Sequence, residues 1–196
     1  MGYTHYVSRA KDIDHDEKTW DIFIKNCKEL YKNMPEYSMS SGGYHVDDPL
    51  HLGGCFSYQK PQFTKRHVYF NGSSVPPTER VKKVDEDGQT EWTDPDNKDM
   101  RHETFVLTRK AGKPNTWSQD DPTLFSFCKT ARKPYDLMVQ ACLILYKYYF
   151  PEVEIGSDGE NEDWAQAFAF VAEVLPHGKA IGTELLIGDS LFGKAS

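Results

Sequence analysis

Apolar residues recur at helical spacing early in the chain. Trp20, Phe23, Ile24, Cys27, Leu30 and Tyr31 fall at i, i+3, i+4, i+7, i+10 and i+11. Residues so spaced share one face of an α-helix, so this segment predicts an amphipathic helix. Asp12, Asp14 and Asp16 supply carboxylates for its cap and first turn, and Pro35 ends it. A second stretch, 137–150, is broken only by Gln140 and Lys147. It predicts a helix from Pro134, a residue suited to a first turn, to about Tyr149. A helix apolar nearly all round is a buried one. Trp164, Ala167, Phe168, Val171 and Ala172 predict a third helix.

Between the helices the period shortens to two. Residues 2–8 alternate and are rich in Tyr, Thr and Val, which suits a first strand. Residues 67–70 predict a strand that turns at Asn71-Gly72. Residues 102–108 alternate again, and 124–127 and 153–155 are short apolar pieces, the latter turned by Ser157-Asp158-Gly159. Residues 36–65 predict loop with a short strand near 55–58. Residues 73–101, carrying Pro76-Pro77 and Asp94-Pro95-Asp96, predict a polar insertion without structure of its own. Residues 110–122 predict another loop.

Helices separate the strands only some of the time, so the class is α+β. The expected architecture is one domain over 1–175, a mainly antiparallel sheet with two or three helices packed on one face. A split β-α-β, ferredoxin-like core is one way to draw it. Residues 176–196 predict a Gly-rich tail.

Composition narrows the function classes. The chain has 196 residues, 38% of them hydrophobic, enough for a full-sized core. A net charge of −7 argues against general nucleic-acid binding through phosphates. No apolar run approaches the roughly 18 residues of a membrane helix. The N-terminus lacks the basic and apolar regions of a signal peptide, and Tyr6 stands where a myristoylation motif wants Ser or Thr. Cys27, Cys55, Cys128 and Cys142 are widely spaced, which predicts reduced, mostly buried thiols and a cytoplasmic setting.

Against this acidic background, Phe127-Cys128-Lys129-Thr130-Ala131-Arg132-Lys133-Pro134-Tyr135-Asp136 gathers three cations before the apolar helix. Backbone N–H groups at a helix start attract anions, and neighbouring Lys and Arg strengthen the attraction. Lys129, Arg132 and Lys133 are therefore candidates to hold a phosphate or carboxylate, with Thr130 donating a hydroxyl. His102 is a candidate base, since histidine titrates near neutrality; if 102–108 is a strand, His102 and Glu103 face opposite sides. His5, with Tyr3 on its face, could line a pocket that stacks a ring, and Trp117 could stack one too. Asp136 is the other catalytic candidate beside His102, although it and Asp158 each have a sufficient structural reason, the first as a helix-start carboxylate and the second as a turn residue.

Other chemistry finds little support. There is no P-loop, no H-E-x-x-H and no G-x-S-x-G. Glu17 occupies the position where an EF-hand built on Asp12, Asp14 and Asp16 needs glycine. His45, Asp47, Asp48 and His51 form the one cluster with any resemblance to a metal site. No metal and no cofactor is expected.

The opening Met1-Gly2-Tyr3-Thr4-His5-Tyr6, the blocks Asn71-Gly72 and His102-Glu103-Thr104-Phe105, the cationic turn and Ser157-Asp158-Gly159 occur in a characteristic order. Over residues 1–170 the chain resembles a family of short, uncharacterised bacteriophage and bacterial proteins. It differs from them in the insertion between Gly72 and His102, in its tail after about Val174, and in Val7, where the family carries an aromatic residue. The resemblance implies which residues form a site and implies no particular chemistry. Three functions follow as expectations: a binder of a small anionic or nucleotide-like ligand at 129–133; a hydrolase or transferase with His102 as base; and a protein–protein adaptor using the 73–101 insertion.

Overall fold

The computed structural model describes residues 2–12, 14–38, 47–54, 59–77, 81–84, 86–88, 90–93, 100–111 and 123–187. Strand β1 spans Thr4–Ala10, and helix α1, Glu17–Lys32, follows it. Asp16 caps α1, its carboxylate accepting from the Thr19 N–H at 2.8 Å. The helix buries Trp20, Phe23, Ile24, Cys27 and Leu30, the face its periodicity marked. Each such side chain contributes about 1.5–3 kcal/mol when taken out of water.

The strands that follow are β2 (His51–Gly53), β3 (Gln62–Phe63), β4 (His67–Ser73), β5 (Val81–Val84), β6 (Thr90–Thr93), β7 (Phe105–Thr108) and β8 (Thr123–Lys129). Helix α2, Asp136–Tyr149, precedes β9, Glu154–Ser157, and a 3₁₀ turn, Asn161–Trp164, leads into α3, Ala165–Val174, and α4, Gly178–Ile187. The strand pairings are antiparallel: one sheet runs β8-β1-β9, a second joins β2 and β3 to β4 with β7 also on β4, and β5 and β6 form a hairpin. The fold is α+β.

Helix α2 lies at the centre, buried from Met138 to Tyr146, with α1, α3 and α4 around it. The inner face of β1 turns His5, Val7 and Arg9 inward; Tyr6 and Ser8 face out. Cys27, Cys128 and Cys142 are free thiols in the interior, and burial pushes the Cys128 thiol up to about 12.

Several expectations are corrected. The first strand runs 4–10 rather than 2–8. Asn71-Gly72 is not a turn but the middle of β4, where glycine is needed for space: a Cβ on Gly72 would collide with the Met100 carbonyl and the Tyr135 ring. The insertion is not structureless, since β5 and β6 pair from Val81↔Thr93 to Val84↔Thr90. The strand expected over 102–108 starts at Phe105, leaving His102 and Glu103 in a connection. The tail expected after Pro176 contains α4, which buries Ile181 and Leu185, four residues apart, on its inner face. The single, mainly antiparallel α+β domain is as expected; among the described residues it has four helices and two main sheets, more than the two or three helices and one sheet foreseen, and the ferredoxin-like drawing does not apply. The short strand expected near 55–58, the metal-like cluster through its His45, and Trp117 lie outside the described residues.

Candidate functional site

The cationic turn is tighter than its sequence suggests. Ala131 and Arg132 both adopt left-handed backbone, with φ of 52° and 57°. Neither is glycine, so each conformation costs about 1–2 kcal/mol. Local hydrogen bonds hold it: the N–H groups of Thr130 and Ala131 both donate to the Tyr3 carbonyl at 3.0 and 3.1 Å, and Lys133 N–H donates to the Thr130 carbonyl at 3.1 Å. The amide of Asp136 donates to the Lys133 carbonyl at 2.8 Å. These backbone donors close the turn on itself, so anion capture by the bare helix start is not available to them.

Beneath the turn, Asp136 is the hub of a buried polar network. Its Oδ1 accepts from His5 Nε2 at 2.7 Å and from the Thr130 hydroxyl at 2.6 Å. Its Oδ2 accepts from Gln140 Nε2 at 3.2 Å, one helical turn on, and Gln140 also donates to the Tyr3 hydroxyl at 3.2 Å. A carboxylate only accepts, so His5 carries its hydrogen on Nε2; in the neutral ring Nδ1 then accepts from the Ser157 hydroxyl, 3.1 Å away. Ser157 Oγ itself accepts from the Gly159 N–H at 3.0 Å. Thr130, His5 and Tyr3 are 0%, 1% and 3% exposed and lie beneath the surface of the turn. Burial, then the Asp136 charge, pushes the Tyr3 hydroxyl up to about 12.

At the surface Arg132 lies over the Tyr3 ring, 3.9 Å from its centre, a cation–π stack. Its fork meets Asp163, with Nη1 to Oδ1 at 2.8 Å and Nη2 to Oδ2 at 3.3 Å. That pair uses two of the five guanidinium N–H groups. The Arg132 hydrogen bond holds the Asp163 carboxyl below the usual carboxylate range. Asp163 also accepts from the Glu160 N–H at 3.0 Å, which fixes the start of the 3₁₀ turn. Gly159 sits against the Tyr3 hydroxyl and Asp163, where a Cβ would collide with both.

The remaining blocks join from the second sheet. Asn71 Nδ2 donates to the His102 carbonyl at 3.0 Å and to Thr104 Oγ1 at 3.1 Å. Glu103 accepts the Lys129 N–H through Oε2 at 2.6 Å, and its carbonyl accepts from the buried Tyr135 hydroxyl at 2.7 Å. All five sequence blocks therefore meet in one connected region. His102 is exposed in its connection, and its carbonyl, not its ring, makes the described contact to Asn71. Asp158 stands at the rim, accepting from the Tyr6 hydroxyl at 2.9 Å.

Reasoning from sequence missed Ser157 and Asp163 as partners of His5 and Arg132. It noted Gln140 only as an interruption; a lone amide in an apolar helix, four residues after a carboxylate, was the available signal. A water-sized slot of about 10 Å³ between β7 and β8 reaches His5, lined also by Val7, Phe105, Phe127, Cys128 and Leu143. A larger groove of about 560 Å³, lined by Pro35, Leu137, Ala169, Phe170 and Val174 among others, shares no residue with the network. Among the described residues no three His, Cys, Asp or Glu side chains are grouped to hold a metal, and no helix is long and apolar enough to cross a membrane. Comparison with protein-family models, curated proteins and solved structures finds no match.

Proposed function

We propose that the protein binds a small anionic or nucleotide-like ligand at the turn Lys129–Lys133, through Arg132. The observation that carries this reading is the pair of left-handed, non-glycine residues that projects Arg132 over Tyr3. Strain of this kind persists only where the surroundings over-determine it, and it clusters at functional sites. Here a buried network around Asp136 supplies the over-determination. The guanidinium is already forked by Asp163, so the ligand shares its remaining N–H groups or displaces that carboxylate. Asp163 then sets selectivity, because a weak anion loses the competition. Titration calorimetry against inorganic phosphate and a nucleotide panel tests the reading. Wild type should bind a member of the panel, Arg132→Ala should lose that binding, and Asp163→Asn should tighten it.

The Ser157–His5–Asp136 chain favours a second reading, a hydrolase or transferase acting on a phosphorylated small molecule. In it the base is His5 and not His102, because His5 has the orienting carboxylate and the adjacent hydroxyl a base requires. A His5→Gln variant that keeps ligand affinity and loses turnover supports it; a panel of phosphoesters left intact by wild type removes it. For the adaptor reading, the β5–β6 hairpin is the element a protein partner would meet.

A further inference from the structure

The outer face of the β8-β1-β9 sheet carries aromatic rings that the site does not use. Register places Tyr6 opposite Phe127 and Ser8 opposite Phe125 on that face. Phe125 and Phe127 are each 57% exposed, and Val106 of β7, which borders the slot beside Phe127, is 40% exposed. Tyr6 stacks on Phe125 at 6.1 Å with 22° between the rings, and Phe125 lies 6.3 Å from Phe127. Gly156, opposite Tyr6 on the other flank, adds no side chain over the ring. The result is a contiguous apolar patch beside the half-buried Ser8 and Ala10. Cross-strand ring pairs stabilise a sheet by a few tenths to about 1 kcal/mol, but that gain does not require rings this exposed.

We propose that this face is the contact between two copies of the chain. The charges flanking the patch are what single out a second copy. Lys129 stands opposite Thr4 on one side of β1, and Glu154 opposite Ser8 on the other. They are two positions before and two after Tyr6, at opposite corners of the patch. A two-fold axis lying in the contact plane and passing over Tyr6 exchanges those corners. Lys129 of each copy then meets Glu154 of its partner, twice per dimer, as an isologous interface requires. With ordinary strand and sheet spacings the same axis lays each Phe125 beside Phe127 of the other copy. The strands cross at about 70°, near the orthogonal class of sheet packing. A chain of net charge −7 repels its own copy over most of its surface; this face is apolar at its centre, carries the opposite charges Lys129 and Glu154 at two corners, and holds Asp158 on the Tyr6 hydroxyl. An acidic partner would oppose Glu154 and Asp158, and a basic one would oppose Lys129; the self-contact satisfies Lys129 and Glu154 together.

Sedimentation equilibrium of the full chain over a concentration series tests the proposal, with far-UV circular dichroism checking that each variant is folded. Wild type should dimerise. Phe125→Ser with Phe127→Ser should weaken the dimer by about a hundredfold, as removal of central aromatic anchors does. Lys129→Glu alone and Glu154→Lys alone should each weaken it about tenfold, and the two together should restore it. A monomer throughout the series overturns the proposal. So does a dimer indifferent to the double serine variant, or a charge swap that fails to restore what the single reversals lost.

Discussion

The residue on which most depends is Asp136. It accepts hydrogen bonds from His5, Thr130 and Gln140 in the interior, so removing its carboxylate strands three donors at once. Leaving buried polar groups unsatisfied costs about 1–3 kcal/mol each before relaxation. Asp136→Ala should lower stability by about 3 kcal/mol in urea denaturation, and Asp136→Asn by less, since one acceptor oxygen remains. The sequence marked Asp136, Arg132 and His5 as candidates but not their partners, because the His5–Asp136 contact spans 131 positions and the Arg132–Asp163 contact 31. Helical or strand periodicity reports neighbours within a few residues and is blind to such pairs. His15 belongs to a different environment. It is 3% exposed, stacked against Phe150 at 4.0 Å and Trp20 at 5.9 Å, with Nε2 bonded to the Tyr146 hydroxyl. Glu152 approaches Nδ1 to 3.3 Å without the alignment of a hydrogen bond. Burial, then the nearby Arg9 charge, pulls the His15 imidazole down to about 4 from its ordinary 6.5. Below 6.5 the unfolded chain takes up a proton that the folded chain refuses until about 4. The stabilising contribution is therefore complete above that window and is lost as pH falls through it, up to about 3 kcal/mol in all. Denaturant midpoints between pH 7 and 4.5 should fall more steeply in wild type than in His15→Phe.

At the scale of elements, legibility followed how each element earns its stability. α1 was readable because one apolar stripe and one cap specify it, and α2 because its apolar surround fits nothing but the interior. β4 was misread at Asn71-Gly72 because that pair is the usual sign of a turn; here the glycine admits Met100 and Tyr135, a constraint from residues distant in the sequence. Gly72→Ala should accordingly lower the melting temperature sharply or prevent folding, whereas Gly88→Ala, in the open turn of the β5–β6 hairpin, should cost little more than the strain of its φ of 74°. α4 escaped notice because its glycines suggest a tail, although Ile181 and Leu185 already carried the spacing of a buried face. The hairpin should be separable from the site: a chain shortened across residues 78–93 with the ends rejoined should keep its fold and its ligand affinity, and would lose a protein partner if the hairpin recruits one.

For the whole molecule, charge sets the terms. An acidic chain concentrates three cations at the entrance to its central helix; Asp163 pairs with Arg132 there, while Glu103 takes the Lys129 backbone N–H and Asp136 the Thr130 hydroxyl. The turn is strained and rests on a buried network that only the assembled fold provides, so the proposed function and the stability are joined at Asp136. The most direct measurement is calorimetric titration of inorganic phosphate and nucleotides into wild type, Arg132→Ala and Asp163→Asn, each shown folded beforehand. Wild type should bind, Arg132→Ala should lose that binding and Asp163→Asn should bind more tightly. Equal affinity in wild type and Arg132→Ala, or no binding by any of the three, would rule out an anion site at this turn.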